Sequence, residues 1–243
     1  MAPLVPVDLH IHTALSPCGD GAMRPAEILL AAEQRGIRVV GIVDHSTAGN
    51  ASAVLEAAPA FAVRVFVGLE VESAEGVHLL GLFDSEPAAL SMDELVAAHL
   101  PPLANRPDLF GEQHLLDEWG NLLGIDERLL LVGTDLSVEE IAQVVAARGG
   151  MTIPAHIDRT AHGLIPLLGF VPPHLQVELF EVSRHLPLAI ARERWPDLPL
   201  ITASDAHSLE EIGQAPTWIP AELAAAPLGA RDWARAVAEA IPG

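Results

Sequence analysis

The chain has 243 residues, 50% of them hydrophobic, and a formal charge of −20 with no lysine and no tyrosine. All 13 basic residues are arginines, so there is no broad basic footprint of the kind an extended nucleic-acid surface needs. No apolar run reaches the ~18 residues of a membrane helix, no basic region precedes an apolar stretch at the N-terminus, and the single cysteine, Cys18, excludes an intrachain disulfide framework and points to a cytoplasmic protein.

The elements alternate between strand and helix patterns. The first strand is expected at Val5–His12, followed by a loop with Pro17, Gly19 and Gly21 that carries Asp20. Pro25 suits the first position of a helix, and Gly36 its end. A second strand spans Arg38–Asp44, a short helix Ala51–Ala58, and a third strand Val63–Glu70. Glu70 to Leu82 reads as a hairpin around a short polar turn. If residue 70 faces residue 78, both side chains share one face, and a one-residue slip would separate them.

Residues 84–135 are the least regular and are expected to be an insertion over one edge of the sheet. It contains a helix opened by Ser91-Met92-Asp93-Glu94 and a second hairpin turning at Gly120-Asn121. Ser137-Val138-Glu139-Glu140 opens the next helix as a capping box. Three further strands are expected at Met151–Ala155, Leu175–Val182 and Leu198–Ala203, and a closing helix at Ala230–Ala240. No linker divides the chain, so residues 1–243 are read as one domain, a parallel barrel or an open α/β sheet.

Chemistry collects where these strands end. His10 and His12 are two apart, so in an extended strand both imidazoles lie on one face and reach one cation. Asp44-His45, His156, and Asp205-Ala206-His207 end other strands. Mixed imidazole and carboxylate donors suit zinc, manganese or iron. Asp8 and Asp44 are placed to orient neighbouring imidazoles. Cys18 reads as an incidental thiol, His162 as a loop residue, and His99, His114 and His174 as structural. There is no Walker-type glycine loop, which speaks against a nucleoside triphosphatase.

Together, His10-Ile11-His12, Asp20, Asp44-His45, Gly68-Leu69-Glu70, His78, Pro154-Ala155-His156 and Ser204-Asp205-Ala206-His207 resemble the PHP (polymerase and histidinol phosphatase) family. The resemblance spans nearly the whole chain. It implies a distorted seven-stranded β/α barrel with two to three divalent transition-metal ions at the C-terminal ends of its strands. It also implies His10, His12, Glu70 and Asp205 on a first ion, Asp20, His45 and His207 on a second, and Glu70, His78 and His156 on a third. A carboxylate at position 20 would favour manganese or iron over zinc.

The expected activity is hydrolysis of a small phosphate monoester, like histidinol phosphate or a nucleotide, by a metal-bridging hydroxide. Glu70, Asp205 and His207 would carry the chemistry. Arg159, three residues after His156, would hold the phosphate, with Arg184 and His185 as further contacts. The rival readings are a nuclease or polymerase-associated module acting on nucleic-acid ends, and a metal-dependent amidohydrolase. The amidohydrolase would ordinarily bring a bridging carboxylated lysine, and this chain has no lysine.

Overall fold

The computed structural model describes residues 3–241. β1 (Leu4–Ile11) is followed by α1 (Pro25–Gln34), β2 (Val39–His45), α2 (Ala51–Ala57) and β3 (Arg64–Glu72). β4 (His78–Phe83) turns back along β3 and leads to α3 (Glu86–His99), α4 (Pro107–Phe110), β5 (His114–Leu116), β6 (Leu122–Ile125) and α5 (Val138–Ala147). Then come β7 (Met151–Pro154), α6 (Leu164–Leu168), β8 (Phe180–Val182), α7 (Leu188–Arg194), β9 (Leu200–Thr202), β10 (Thr217–Pro220), α8 (Ala221–Ala224) and α9 (Ala230–Ala240).

One six-stranded sheet runs β10-β1-β2-β3-β4-β7. β1, β2 and β3 are parallel, while β4 is antiparallel to both of its neighbours and β10 is antiparallel to β1. β8 and β9 form a separate parallel pair. This pair spans the open side by a few backbone bonds. Ile157 N donates to Glu181 O at 2.8 Å, His12 N to Ala206 O at 3.0 Å, and Ala206 N to His10 O at 3.1 Å. The architecture is therefore a strongly curled, open half-barrel sheet, not the single seven-stranded ring expected. The physical reason is local: β8 and β9 are three residues each, and the chain leaves the ladder at His156 and Asp205, which take φ of 33° and 51°.

Apolar residues alternate between two layers. Val40, Ile42, Val67, Leu69, Val71 and Leu79 pack outward against α1, α2, α3 and α5. Val39, Val43, Phe66, Leu80, Leu82 and Ile153 pack inside the curl around Trp233 of α9. His45, Glu70, Glu72 and His78 share the parity of this inner set, so they stand above it at the rim.

The first strand needs a correction to that alternation. Val7 and Leu9 belong to the inner layer, and simple alternation would turn His10 and His12 outward. The register of β1 on β2 shifts between Asp8 and Ile11, which pair with Val40 and Ile42. The extra residue is a β-bulge, and it re-aims His10 and His12 inward. Gly41 makes room for it, because a β-carbon at 41 would collide with the Leu9 carbonyl oxygen.

Several other expectations change. Ser91-Glu94 lies inside α3, whose N-cap is Ser85, because Ala89, Met92 and Val96 extend the buried stripe one turn earlier and later. That helix packs on β3 and β4, so the irregular excursion begins after it. The hairpin turning at Gly120 is present as β5–β6, with Gly120 at φ 82°. The strand expected at Leu175–Val182 keeps only Phe180–Val182. The Ser137 capping box is complete, with both reciprocal bonds to Glu140.

Candidate metal centre

Each parallel strand delivers its polar side chain at its C-terminal end. Antiparallel β4 contributes from its first residue, which lies at the same rim. Glu72, not Glu70, is opposite His78, and Glu70 is opposite Leu80. This register is two residues from the one considered for the hairpin. An even shift keeps the face, so the His78 Nδ1 lies 2.7 Å from Glu70 Oε1. Gly68 allows the close approach of β3 to β4, since a β-carbon there would collide with the Gly81 carbonyl oxygen.

Glu70 sits at the centre and is buried. Oε1 lies 3.6 Å from His10 Nε2 and 3.3 Å from His156 Nε2, and Oε2 lies 3.5 Å from His12 Nε2 and 3.0 Å from His45 Nδ1. Asp205 Oδ1 is 3.4 Å from His10 Nε2, 3.5 Å from His12 Nε2 and 3.6 Å from His207 Nδ1. The two Nε2 atoms of His10 and His12 face each other at 3.1 Å. Lone pairs so directed repel unless a cation or a proton lies between them. Donors around one tetrahedral ion with metal–nitrogen bonds of 2.0–2.1 Å stand about 3.3 Å apart, which is the spacing seen here. Glu70 Oε2 and His156 Nδ1 are buried without a hydrogen-bond partner, as expected for groups that await a ligand. The donor set therefore fits divalent transition metals.

The ligand-competent groups fall into overlapping triplets: His10, His12 and Glu70; His12, His45 and His207; His45, Glu70 and His78; and Glu72, His78 and His162. Asp205 and His156 enter none of these triplets and meet the cluster only pairwise, through His10 and His12 and through Glu70. Asp20 is exposed, and its carboxylate accepts the Ala22 N–H at 2.7 Å. It closes its own turn and reaches none of these triplets. Only its backbone touches the site, through Asp20 N to His207 O at 2.8 Å.

Partners behind the cluster fix the imidazole tautomers. His10 Nδ1 donates to Glu181 Oε2 at 2.8 Å, leaving the Nε2 lone pair for the centre. His12 Nδ1 donates to Ser16 Oγ at 2.9 Å, and Ser16 Oγ donates to Asp44 Oδ1 at 2.7 Å. His207 Nδ1 donates to the Asp205 carbonyl oxygen at 3.0 Å. Asp44 thus acts through Ser16, not on an imidazole directly. Asp8 accepts from Ser204 N and Gly213 N and holds the chain that carries Asp205. Glu181 went unrecognised in the sequence because it lies between Phe180 and Val182 in a short apolar strand. A carboxylate in such a run is itself the signal, since burial of an unpaired charge is costly.

The electrostatics follow from this crowding. Burial opposes charge on Glu70, but His78, His10 and His45 hold its carboxyl well below the usual range. Burial likewise opposes charge on Asp205, which His10 and His12 hold low. Burial would neutralise His10, yet Glu181, Asp205 and Glu70 carry it well above the usual imidazole value. His12 goes the other way: burial and then His207 and His45 push it well down.

A cleft of about 540 Å³ opens beside the cluster, lined by His156, Asp205 and His207 together with Arg159, Arg184 and His185. Arg159 Nη1 pairs with Asp205 Oδ2 at 2.9 Å. Arg184 is held by Glu211 Oε1 at 2.7 Å and by Ser204 O at 3.2 Å. His162 adopts a φ of 63°, stacks on His78 at 4.1 Å and lies 3.9 Å from Glu72, so this loop residue stands at the site's edge.

Comparison with known proteins identifies the family. The PHP domain model matches residues 8–146, more than half of the chain, and a PHP-associated model matches residues 188–228. The chain belongs to the PHP domain family. A stretch of 99 residues is 36% identical to an uncharacterized protein of Methanocaldococcus jannaschii, covering 37% of this chain and 57% of that protein. Among solved structures, a metal-dependent phosphoesterase, so named by inference, from Bifidobacterium adolescentis aligns over 89% of this chain and 94% of its own, with a TM-score of 0.59 and 18% identity. The lesion-specific endonuclease of Pyrococcus furiosus aligns over 87% of this chain and 51% of its own, at 0.65 and 20%. At such identities these structures share the fold. The chain spans about half the length of the M. jannaschii and P. furiosus proteins. No helix of the described residues is long and apolar enough to cross a membrane.

Proposed function

We propose that this PHP-family chain is a metal-dependent phosphoesterase acting on a small phosphate monoester, of nucleotide or histidinol phosphate size. The observation that carries the reading is the convergence of His10, His12, His45, His78 and His156 on the buried Glu70 carboxylate, with Asp205 against His10 and His12, beside a cleft of about 540 Å³. Such a volume suits a small molecule. Divalent ions held there supply Lewis acidity, making a bound water acidic near neutral pH and neutralising charge on phosphoryl oxygens.

The chain's own residues do the rest. Glu70 links the donor triplets, so ions held by them are kept close together. Glu181 and Ser16 accept from Nδ1 of His10 and His12 and so turn Nε2 of each ring toward the centre. Arg159, 42% exposed at the cleft, exchanges its contact with Asp205 for a bidentate grip on phosphate oxygens. Arg184 and His185 line the far side of the cleft and meet the remainder of the substrate. The site needs no protein nucleophile.

The test is a hydrolysis screen of ion-stripped protein, with and without zinc, manganese or ferrous iron. The substrates are histidinol phosphate, nucleoside monophosphates, an aryl phosphate monoester and a bis-aryl diester. Ion-dependent release of phosphate from a monoester is expected. Asp205→Asn and His207→Ala should each lower kcat by about two orders of magnitude or more while the fold persists. A second reading, cleavage of phosphodiesters at nucleic-acid ends, draws on the likeness to the P. furiosus endonuclease. It predicts diester turnover exceeding monoester turnover. Full activity in the ion-stripped protein overturns both.

A further inference from the structure

The group of Glu72, His78 and His162 stands to one side of the Glu70 centre. Each of the three offers a ligand atom within 4.8 Å of the other two. Glu72 Oε2 lies 3.7 Å from His78 Nε2, and Glu72 Oε1 lies 3.9 Å from His162 Nδ1. Both contacts are too long for hydrogen bonds, yet with bonds of about 2.0–2.2 Å such pairs can share one ion. The ring of His78 divides the two positions. Its Nδ1 donates to Glu70 Oε1 at 2.7 Å, so the Nε2 lone pair is turned toward Glu72. Two acceptors therefore face each other, which favours a cation between them.

The neighbouring backbone fixes this geometry. Thr134 N and Oγ1 each donate to Glu72 O at 2.9 Å. The His162 carbonyl accepts from His78 N at 3.0 Å, and the two rings stack with centroids 4.1 Å apart. His162 holds a φ of 63°, and Gly163 after it has no space for a β-carbon, which would collide with the Arg159 carbonyl oxygen. His162 Nδ1 reaches Gly76 O at 3.2 Å, the long limit of a hydrogen bond, which an ion can replace.

A separate observation concerns access. Glu72, His78 and His162 line a cavity of about 250 Å³ with Leu130, Leu131 and Val132. It meets the cavity over the centre along His78, Leu131 and His162. The side chains of Glu72 and His162 are 26% and 39% exposed, against 1% and 2% for Glu70 and His156. An ion arriving from solvent through this cavity meets the outer group first.

We propose that Glu72, His78 and His162 form an outer divalent-ion position that catches an entering ion before the Glu70 centre takes it. The proposal rests on the reading of that centre as a metal site. Two imidazoles and one carboxylate suit zinc, manganese or ferrous iron. A neutral imidazole has one lone pair, so His78 serves one edge at a time. When Nδ1 takes the ion beside Glu70 and His156, the ring gives its Nδ1 proton to solvent and takes one up at Nε2. That N–H then faces the Glu72 carboxylate, and the outer position is empty again.

The test follows zinc uptake by ion-stripped full-length protein, in stopped flow with a zinc-responsive indicator. Glu72→Gln should slow loading about tenfold or more and leave the final zinc content equal to wild type. His162→Asn, which suits the left-handed backbone, should do the same. Glu94→Gln removes an exposed carboxylate of α3 and should change neither, which separates ion capture from the loss of one negative charge. Circular dichroism establishes that the variants are folded. In parallel, crystals of His156→Ala, whose inner position lacks a ligand, should show anomalous zinc density between Glu72, His78 and His162. Wild-type loading rates in either variant, equal slowing in Glu94→Gln, or no density at that spot would overturn the outer position and leave the Glu70 centre standing. A final content lower by one ion in Glu72→Gln would overturn the entry role, since Glu72 would then hold a resident ion. Failure of wild type to take up zinc would overturn the metal centre, and this proposal with it.

Discussion

Glu181 shows how one side chain outside the cluster sets the state of one inside it. Its hydrogen bond to His10 Nδ1 fixes the tautomer, and its charge makes the imidazole a better donor. Glu181→Gln keeps an acceptor and removes the charge. Metal affinity measured by calorimetry should fall about 10–100-fold, and an unchanged affinity would show that His10 needs no such partner. Protons compete for the same atoms. Burial opposes the charge on His45, but Glu70 and the Cys18 thiol beside it raise its pKa to about 10. In the ion-free protein His45 therefore carries its proton throughout the range below about 10, and an incoming ion must displace it. Loading strengthens as pH rises, by about tenfold per pH unit for each proton displaced. Calorimetry in buffers of different ionisation enthalpy counts those protons, a His45→Ala variant should release one fewer, and an unchanged count in that variant would refute the assignment of His45. Arg159 lies at the opposite limit of burial. Its contact with Asp205 is half exposed and contributes little to stability, so Arg159→Ala should leave the thermal midpoint unchanged and raise KM about tenfold to a hundredfold. Unaltered kinetics would make it a surface residue.

At the scale of elements, the bulge in β1 and the glycine facing it form one device. Gly41→Ala forces the Leu9 carbonyl away, and the cost of such overpacking is about 1–3 kcal/mol. The displaced bulge should carry His10 and His12 with it, so metal content should fall while circular dichroism stays near native. Retained metal would mean that the bulge does not aim the histidines. The opposite separation is expected at α9. Trp233 is fully buried against Phe66, with ring centroids 5.2 Å apart, and its Nε1 donates to Leu223 O at 2.8 Å. Trp233→Ala should cost about 3–5 kcal/mol and lower the thermal midpoint without altering metal stoichiometry in the folded fraction. These two devices also mark what the sequence disclosed. Strand ends were legible because apolar runs stop at His12, His45, Glu70 and His156, and α5 and α9 were legible from a capping box and an amphipathic stripe. The bulge was not, since alternation in Val5–His12 carries no mark of an inserted residue until its partner strand is known. That Asp20 turns away from the cluster to accept from Ala22 N depended on how a loop folds, which no period encodes. β10 escaped notice because Thr217–Pro220 is short, ends in proline and exposes Trp218, as an edge strand does.

At the scale of the whole molecule, a curled open sheet lets strands of both directions present donors at one rim, and a single carboxylate, Glu70, ties them together. The protein as a whole is strongly acidic, at −20, so bound cations relieve local repulsion as well as serving chemistry. Ions that bind only the folded chain stabilise it by mass action, about 2.7 kcal/mol at a hundred times the dissociation constant. Chelation should therefore lower the thermal midpoint reversibly, and recovery should follow added zinc, manganese or ferrous iron. The most direct test of the central claim is anomalous diffraction from crystals grown with a transition metal and collected on either side of its absorption edge. The account predicts separate peaks around Glu70: one beside His10, His12 and Asp205, one beside His45 and His207, and one beside His78 and His156. A cluster with these side chains in place and no anomalous density between them, in crystals saturated with zinc, manganese or ferrous iron, would contradict it.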